Sequence, residues 1–168
     1  MMCTILAQSA HAFPNADEVR AAFLFNFAKY SKWTEEALPK EAPEFRICVV
    51  GMPGITKTLE EGVGKFIKDK PLKVSAISTL QYLSNCHLIY WNEHEIRLPQ
   101  DVRSALIRKG TLLVGEGAQT EGTIGFVEHE NKIGFVVDLA IAREAGILMS
   151  AQLLKLAIET RGSVEESR

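Results

Sequence analysis

No apolar stretch of this chain approaches the ~20 consecutive residues that a membrane-spanning helix needs. Asp, Glu, Lys, Arg or Gly interrupts every hydrophobic run. Runs of one charge are equally scarce, because 19 basic and 21 acidic residues are spread over 168 positions and leave a formal charge of −2. A nucleic-acid groove or polybasic membrane patch would show as clustered Lys and Arg, so neither is expected. Catalytic signatures are missing as well. There is no Gly-x-Ser-x-Gly turn, and no cysteine is flanked by a known nucleophile motif. The loop Gly51-Met52-Pro53-Gly54 follows a strand-like segment, yet it matches neither the Rossmann nor the Walker fingerprint and reads as a βα turn. Gly115, Gly117 and Gly122 lead into a hairpin pattern rather than a helix, so they read as turn residues and not as a phosphate cradle. His11, His87, His94 and His129 are scattered, and the spacing of His87 and His94 fits no common zinc pattern. We therefore expect no catalytic, cofactor or metal site and no enzyme activity.

Cysteine is rare too, with only Cys3, Cys48 and Cys86. Thr4 to Ala12 looks like the end of a secretory signal peptide, Ala10-His11-Ala12 having the small-x-small form of a cleavage site. A charged n-region and a full apolar core are lacking, so we expect a start codon lying upstream and a mature chain beginning near Phe13. Cleavage there removes Cys3 and leaves the pair Cys48 and Cys86 in two strand-like segments. If those strands are neighbours, the sulfurs come within bonding reach. The alternative is two buried free thiols.

What is present is enough apolar material for one core, 46% of residues. We expect one domain over residues 16–160, after a residual signal peptide at 1–12 and before a frayed C-terminus at 161–168. Val19, Phe23, Phe27, Tyr30 and Trp33 recur at helical spacing over Asp17 to Trp33, with Asn15 and Glu18 as a capping box. Strands are expected at Phe45 to Val50, Leu72 to Ile77, Cys86 to Trp91 and Thr111 to Gly115. Helices are expected between them, at Thr56 to Phe66, around Leu80 and at Gln100 to Lys109. This alternation predicts a parallel sheet with right-handed crossovers. Thr123 to Glu128 and Lys132 to Val137 then read as a hairpin turning near Glu130-Asn131. Asp138 is placed to cap the segment Leu139 to Glu144, and a last helix is expected from Ser150 to about Thr160. The fold class is thus α/β, a three-layer Rossmann-like sandwich whose mostly parallel sheet carries an antiparallel C-terminal hairpin.

From about Ala16 to Ala157 the chain resembles the YfiR family. The likeness is carried by Asp17 to Tyr30 (DEVRAAFLFNFAKY) with Trp33, by Phe45 to Gly51 (FRICVVG), and by Cys86 to Tyr90 (CHLIY). It continues in Ile124-Gly125-Phe126, in Ile133 to Leu139 (IGFVVDL), and in Ala142 to Ala157 with Gly146 to Ser150 (GILMS) and Leu153-Leu154. Asp138 stands where the family often has Asn, and a second cysteine pair found in some members is absent. The resemblance implies a periplasmic, non-catalytic regulator without cofactors, and a disulfide between Cys48 and Cys86. It implies binding to the periplasmic region of a membrane-anchored diguanylate cyclase, lowering cyclic di-GMP and biofilm formation. An outer-membrane lipoprotein and a second copy of the chain are further candidate partners. Partner-contacting residues are not legible, the hairpin between Thr123 and Val137 being the weak candidate. Two other classes remain open on the residues themselves: a periplasmic solute-sensing domain with its ligand near Gly51 and Trp91, and a cytoplasmic nucleotide-dependent enzyme.

Overall fold

The computed structural model describes residues 14–62, 65–92 and 94–162. The residual signal segment 1–12 and positions 163–168 of the C-terminal segment lie outside these described residues. Chain order is α1 (Ala16–Tyr30), β1 (Ser31–Lys32), β2 (Phe45–Val50), α2 (Pro53–Gly62), β3 (Phe66–Ile67) and β4 (Lys70–Ile77), then a 3-10 turn at Leu80–Asn85. It continues with β5 (Leu88–Trp91), α3 (Gln100–Arg108), β6 (Leu112–Glu116), β7 (Ile124–His129), β8 (Lys132–Asp138), α4 (Leu139–Glu144), β9 (Leu148–Met149), α5 (Ala151–Leu154) and β10 (Glu159–Arg161).

One sheet orders its strands β10-β8-β7-β6-β5-β2-β4-β3, and β1 pairs with β9 in a separate ribbon. Strands β4, β2, β5, β6 and β7 run parallel, while β8 returns antiparallel to β7. The expected α/β sandwich with an antiparallel C-terminal hairpin is the observed architecture. From β2 the chain crosses to β4 on one side, and from β5 it crosses to β6 on the other. Right-handed crossovers therefore put α2 and α3 on opposite faces. Ile47 to Val50 and Leu88 to Trp91 are buried throughout, as strands covered on both faces require.

Helix α1 shares its face of the sheet with α2 and reaches across to the hairpin. Asn15 and Glu18 form the reciprocal capping box, Oδ1 accepting from the Glu18 N–H at 2.9 Å. Phe27 is fully buried, with ring centroids 4.8 Å from Phe135 and 5.6 Å from Phe126. The helix stops at Tyr30, short of Trp33, because Ser31 turns extended and its strand pairs with β9. Trp33 then caps the lower end of the sheet, packing edge-on against Phe45 at 5.1 Å and donating Nε1–H to the Gly110 carbonyl at 2.9 Å.

Three expectations are corrected. Phe66 does not end a helix: α2 finishes at Gly62, and Phe66–Ile67 pairs with Lys70–Pro71 around Lys68 and Asp69, both at positive φ. That left-handed pair supplies the twist a two-residue hairpin turn needs. The last helix also ends early, at Leu154, and residues 159–161 become β10, parallel to β8. The outer edge of β8 would otherwise expose its ladder. The Ile158 N–H bonds the Phe135 carbonyl, and its side chain fills the space left by Gly134, where a Cβ would stand 2.4 Å from Ile158 Cδ1. Finally, Gly115 lies within β6 rather than in a turn, while Gly122 sits in the bend before β7 as read; both leave room for Trp91, whose ring atom Cη2 would meet their Cβ atoms at 3.2 and 2.8 Å. Other boundaries match closely, including the Glu130-Asn131 turn and Asp138, whose carboxylate accepts from Ala140 and Ile141.

Phe27→Ala should lower unfolding free energy by about 3–5 kcal/mol, the cost of a large cavity in a close-packed site. Chemical denaturation at fixed pH measures it, and a loss below about 1 kcal/mol would show that the aromatic cluster does not hold α1 to the hairpin.

Candidate functional site

Open α/β sheets bind ligands where strand order reverses, outside the carboxyl ends of the strands. Here that point lies between β2 and β5, beside Gly51 and Trp91. The chain's own residues occupy the space there. A Cβ on Gly51, whose φ is +78°, would lie 3.3 Å from Glu95 Cβ and 3.7 Å from Ile96 Cδ1. Trp91 is buried against the two glycines already described. On the α1 side of these strand ends, Arg20 makes a bidentate pair with Glu116, at 2.8 and 3.1 Å, and the buried Tyr90 hydroxyl donates to the same carboxylate. Burial, reinforced by the Glu116 hydrogen bond, keeps the Tyr90 phenol protonated far above its ordinary range. The Glu116 hydrogen bond likewise raises the Arg20 pKa, so this half-buried cluster is a fixed ionic clamp between α1, β5 and β6. No spacing in the sequence links positions 20, 90 and 116, and none of the three is singled out by it.

The opposite end of the sheet carries the disulfide. Cys48 and Cys86 are bonded, their Cα atoms 5.9 Å apart, joining β2 to the entry of the neighbouring β5. Cys86 lines an open depression of about 350 Å³, together with Glu44, Arg46, His87 and Lys109. Its charges are largely matched, Arg46 pairing with Glu44. His87 Nδ1 accepts the Arg46 backbone N–H at 2.9 Å and the His87 backbone N–H donates to the Arg46 carbonyl, so the unprotonated ring nitrogen closes the β2–β5 ladder. Burial first, and the Arg46 charge second, hold the His87 pKa below its ordinary value.

The Thr123–Val137 hairpin spends its apolar residues inward: Ile124, Phe126, Phe135 and Val137 are buried, and the exposed tip at 128–132 is polar. Large exposed apolar side chains sit elsewhere, at Phe66, Tyr82, Leu148, Leu156 and Ile158. A second depression, of about 470 Å³, opens between the end of α1, the loop before β2 and the β3–β4 turn. Lys32, Lys40, Lys68 and Lys70 line it over Trp33 and Leu38, with Asp69 as its acidic residue. Among the described residues, no group of three or more His, Cys, Asp or Glu side chains is placed to hold a metal ion, and no helix is long and apolar enough to cross a membrane.

Peptide mapping by mass without reductant should recover the linked Cys48 and Cys86 peptides. Reduction should cost about 4 kcal/mol in the loop-entropy account for a separation of 38 residues. Free alkylation of both thiols in protein prepared under oxidising conditions would contradict this. For His87 the sign follows from its lowered pKa: the unfolded chain binds the proton first, so stability is complete above the unfolded value and falls as pH drops through it. Melting temperature should thus decline on acidification from pH 7.5 to below about 6.5, the unperturbed value for His. His87→Asn, which offers an acceptor in a similar place without titrating, should flatten that decline; an unchanged profile would assign it to other groups.

Comparison with known proteins places the sequence. No curated protein matches it at a significant level. Among solved structures, a domain described as the ABC domain in complex with L-Trp from Streptococcus pneumonia aligns at 11% identity and a TM-score of 0.49, covering 84% of this chain and 60% of that one. A conserved domain protein from Vibrio cholerae aligns at 13% identity and 0.49, covering 87% and 60%. The chain thus spans about 60% of the length of each, and likenesses at this level carry no functional inference. The YfiR/HmsC-like family model, by contrast, matches residues 17–158, from the first turn of α1 to the residue before β10. That span takes in the helix, the bonded cysteines and the hairpin alike, and the chain belongs to the YfiR/HmsC-like family.

Proposed function

We propose that this chain is a periplasmic regulatory protein that binds the periplasmic region of an inner-membrane diguanylate cyclase and restrains it, lowering cyclic di-GMP and biofilm formation. The observation that carries the reading is the family match over 17–158, which supports regulation of a periplasmic kind at family level. The Cys48–Cys86 bond adds support, since structural disulfides belong to oxidising compartments. The reading assigns the chain no chemistry of its own. It acts as a ligand for one conformation of its partner, and its effect is bounded by its differential affinity for the two states. A tenfold shift of the partner's two-state equilibrium corresponds to about 1.4 kcal/mol of that difference. Cyclic di-GMP, made on the cytoplasmic side, does not meet this chain.

Deleting the gene should raise cellular cyclic di-GMP and biofilm, and removing the cognate membrane cyclase as well should abolish the rise. Purified chain should turn over no nucleotide. A rise that persists in the double deletion would exclude that cyclase as the target, and no rise under any condition would overturn the regulatory reading in favour of solute sensing.

A further inference from the structure

The two depressions at the lower end of the sheet differ in charge balance. The one beside the disulfide sets Arg46 and Lys109 against Glu36 and Glu44, with Arg46 and Glu44 paired, whereas the one between α1 and the β3–β4 turn gathers four lysines against a single lining aspartate. Two of the lysines are fixed by uncharged partners. Lys68 Nζ donates to the Lys29 carbonyl at the C-terminal end of α1, at 2.8 Å, and Lys70 Nζ donates to the carbonyls of Lys40 and Ala42, at 2.7 and 2.9 Å. Carbonyls orient an ammonium but leave its charge uncancelled, and each of these ammoniums keeps further N–H donors. Among the described residues, Lys32, Lys68 and Lys70 have no ion-pair partner, and Lys40 meets only the exposed Glu35 at 3.8 Å. Burial, and then the charge of Lys32, hold the Lys68 pKa below its ordinary value, so bringing an anion here relieves an existing repulsion. Apolar surface adjoins the charge: Trp33 and Leu38 line the depression, and Leu148, 70% exposed, sits directly across the β1–β9 ribbon from Lys32.

We propose that this lysine-lined depression is the docking site for an acidic segment of the partner protein, one that sets carboxylates against Lys32, Lys40, Lys68 and Lys70 and an apolar side chain against Trp33, Leu38 and Leu148. The inference rests on the regulatory reading above for the partner's identity. A concave site with an apolar lining fits a protruding peptide segment better than a flat lipid surface, which touches only outward-facing charge. Lys68 and Lys70, held by backbone carbonyls, give the site preorganised charge, and Lys32 and Lys40, whose side chains hold no backbone, supply its rim. Rim charges act chiefly on association and on salt dependence.

The test uses the full mature chain and membranes carrying the intact cyclase, with capture measured against chain concentration at low and high NaCl. Lys32→Glu/Lys40→Glu alters exposed side chains that hold no backbone. It should weaken capture by roughly tenfold or more and flatten the salt dependence, with Lys32→Gln/Lys40→Gln intermediate. The exposed α2 control Lys57→Glu should change capture by less than about twofold. If wild type binds and the double reversal binds equally well, the docking proposal is overturned while the regulatory reading stands. Failure of wild type to bind at all would overturn the regulatory reading itself. Vesicles with and without anionic phospholipid, lacking the cyclase, form the last arm: lysine-dependent binding to the anionic vesicles would overturn the peptide assignment in favour of a lipid surface.

Discussion

Helix α1 is the first of the described elements and buries against strands that come late, and the rest of the arrangement depends on that contact. Phe23 and Phe27 meet Phe126 and Phe135, with Tyr90 edge-on to Phe126. Without this cluster one face of the β7–β8 hairpin lies open, since the crossover helices α2 and α3 serve the other half of the sheet and the other face. The helix also fixes both ends of its face of the molecule. Arg20, near its start, holds Glu116 at the carboxyl ends of the strands, and the chain leaving its last turn delivers Trp33 to the opposite end. A rigid α1 therefore spaces the ionic clamp from the lysine-lined depression.

Much of the fold was legible in the sequence because it is written in local patterns. The capping box, the continuously apolar β2, the Glu130-Asn131 turn and the Asp138 cap each depend on residues within a few positions of one another, and each is found where it is read. The misreadings share a different cause. Leu153, Leu154, Ala157 and Ile158 have helical spacing, yet the unpaired edge of β8 and the gap above Gly134 draw the tail of that segment into β10. Phe66 likewise looks like the end of a helical stripe, but two left-handed residues after it turn the chain back as a hairpin. In both places tertiary pairing outweighs a local period.

The functional reading came through family likeness, and the proposed docking surface was not legible in the sequence at all. Lys32, Lys40, Lys68 and Lys70 are dispersed enough that charge counting finds no patch, and the fold alone assembles them around Trp33. Where a doubly wound fold commonly holds a small molecule, Glu95 and Ile96 lie close against Gly51 in this chain. The two ends of the sheet thus differ, one with Glu95 and Ile96 packed close to Gly51 and the other open and lined by lysines.

The disulfide divides the molecule topologically as well as joining two strands. Residues 48 to 86 become a covalent ring that contains α2, β3 and β4, while everything from β5 onward remains an open chain. Disordering a segment inside the ring gains less entropy than disordering an equal length outside it. Sub-global opening is thereby biased toward elements outside the ring, the β7–β10 side among them. The Lys68–Lys70 turn lies within the ring, so one wall of the charged depression belongs to the part of the molecule whose opening the disulfide restrains.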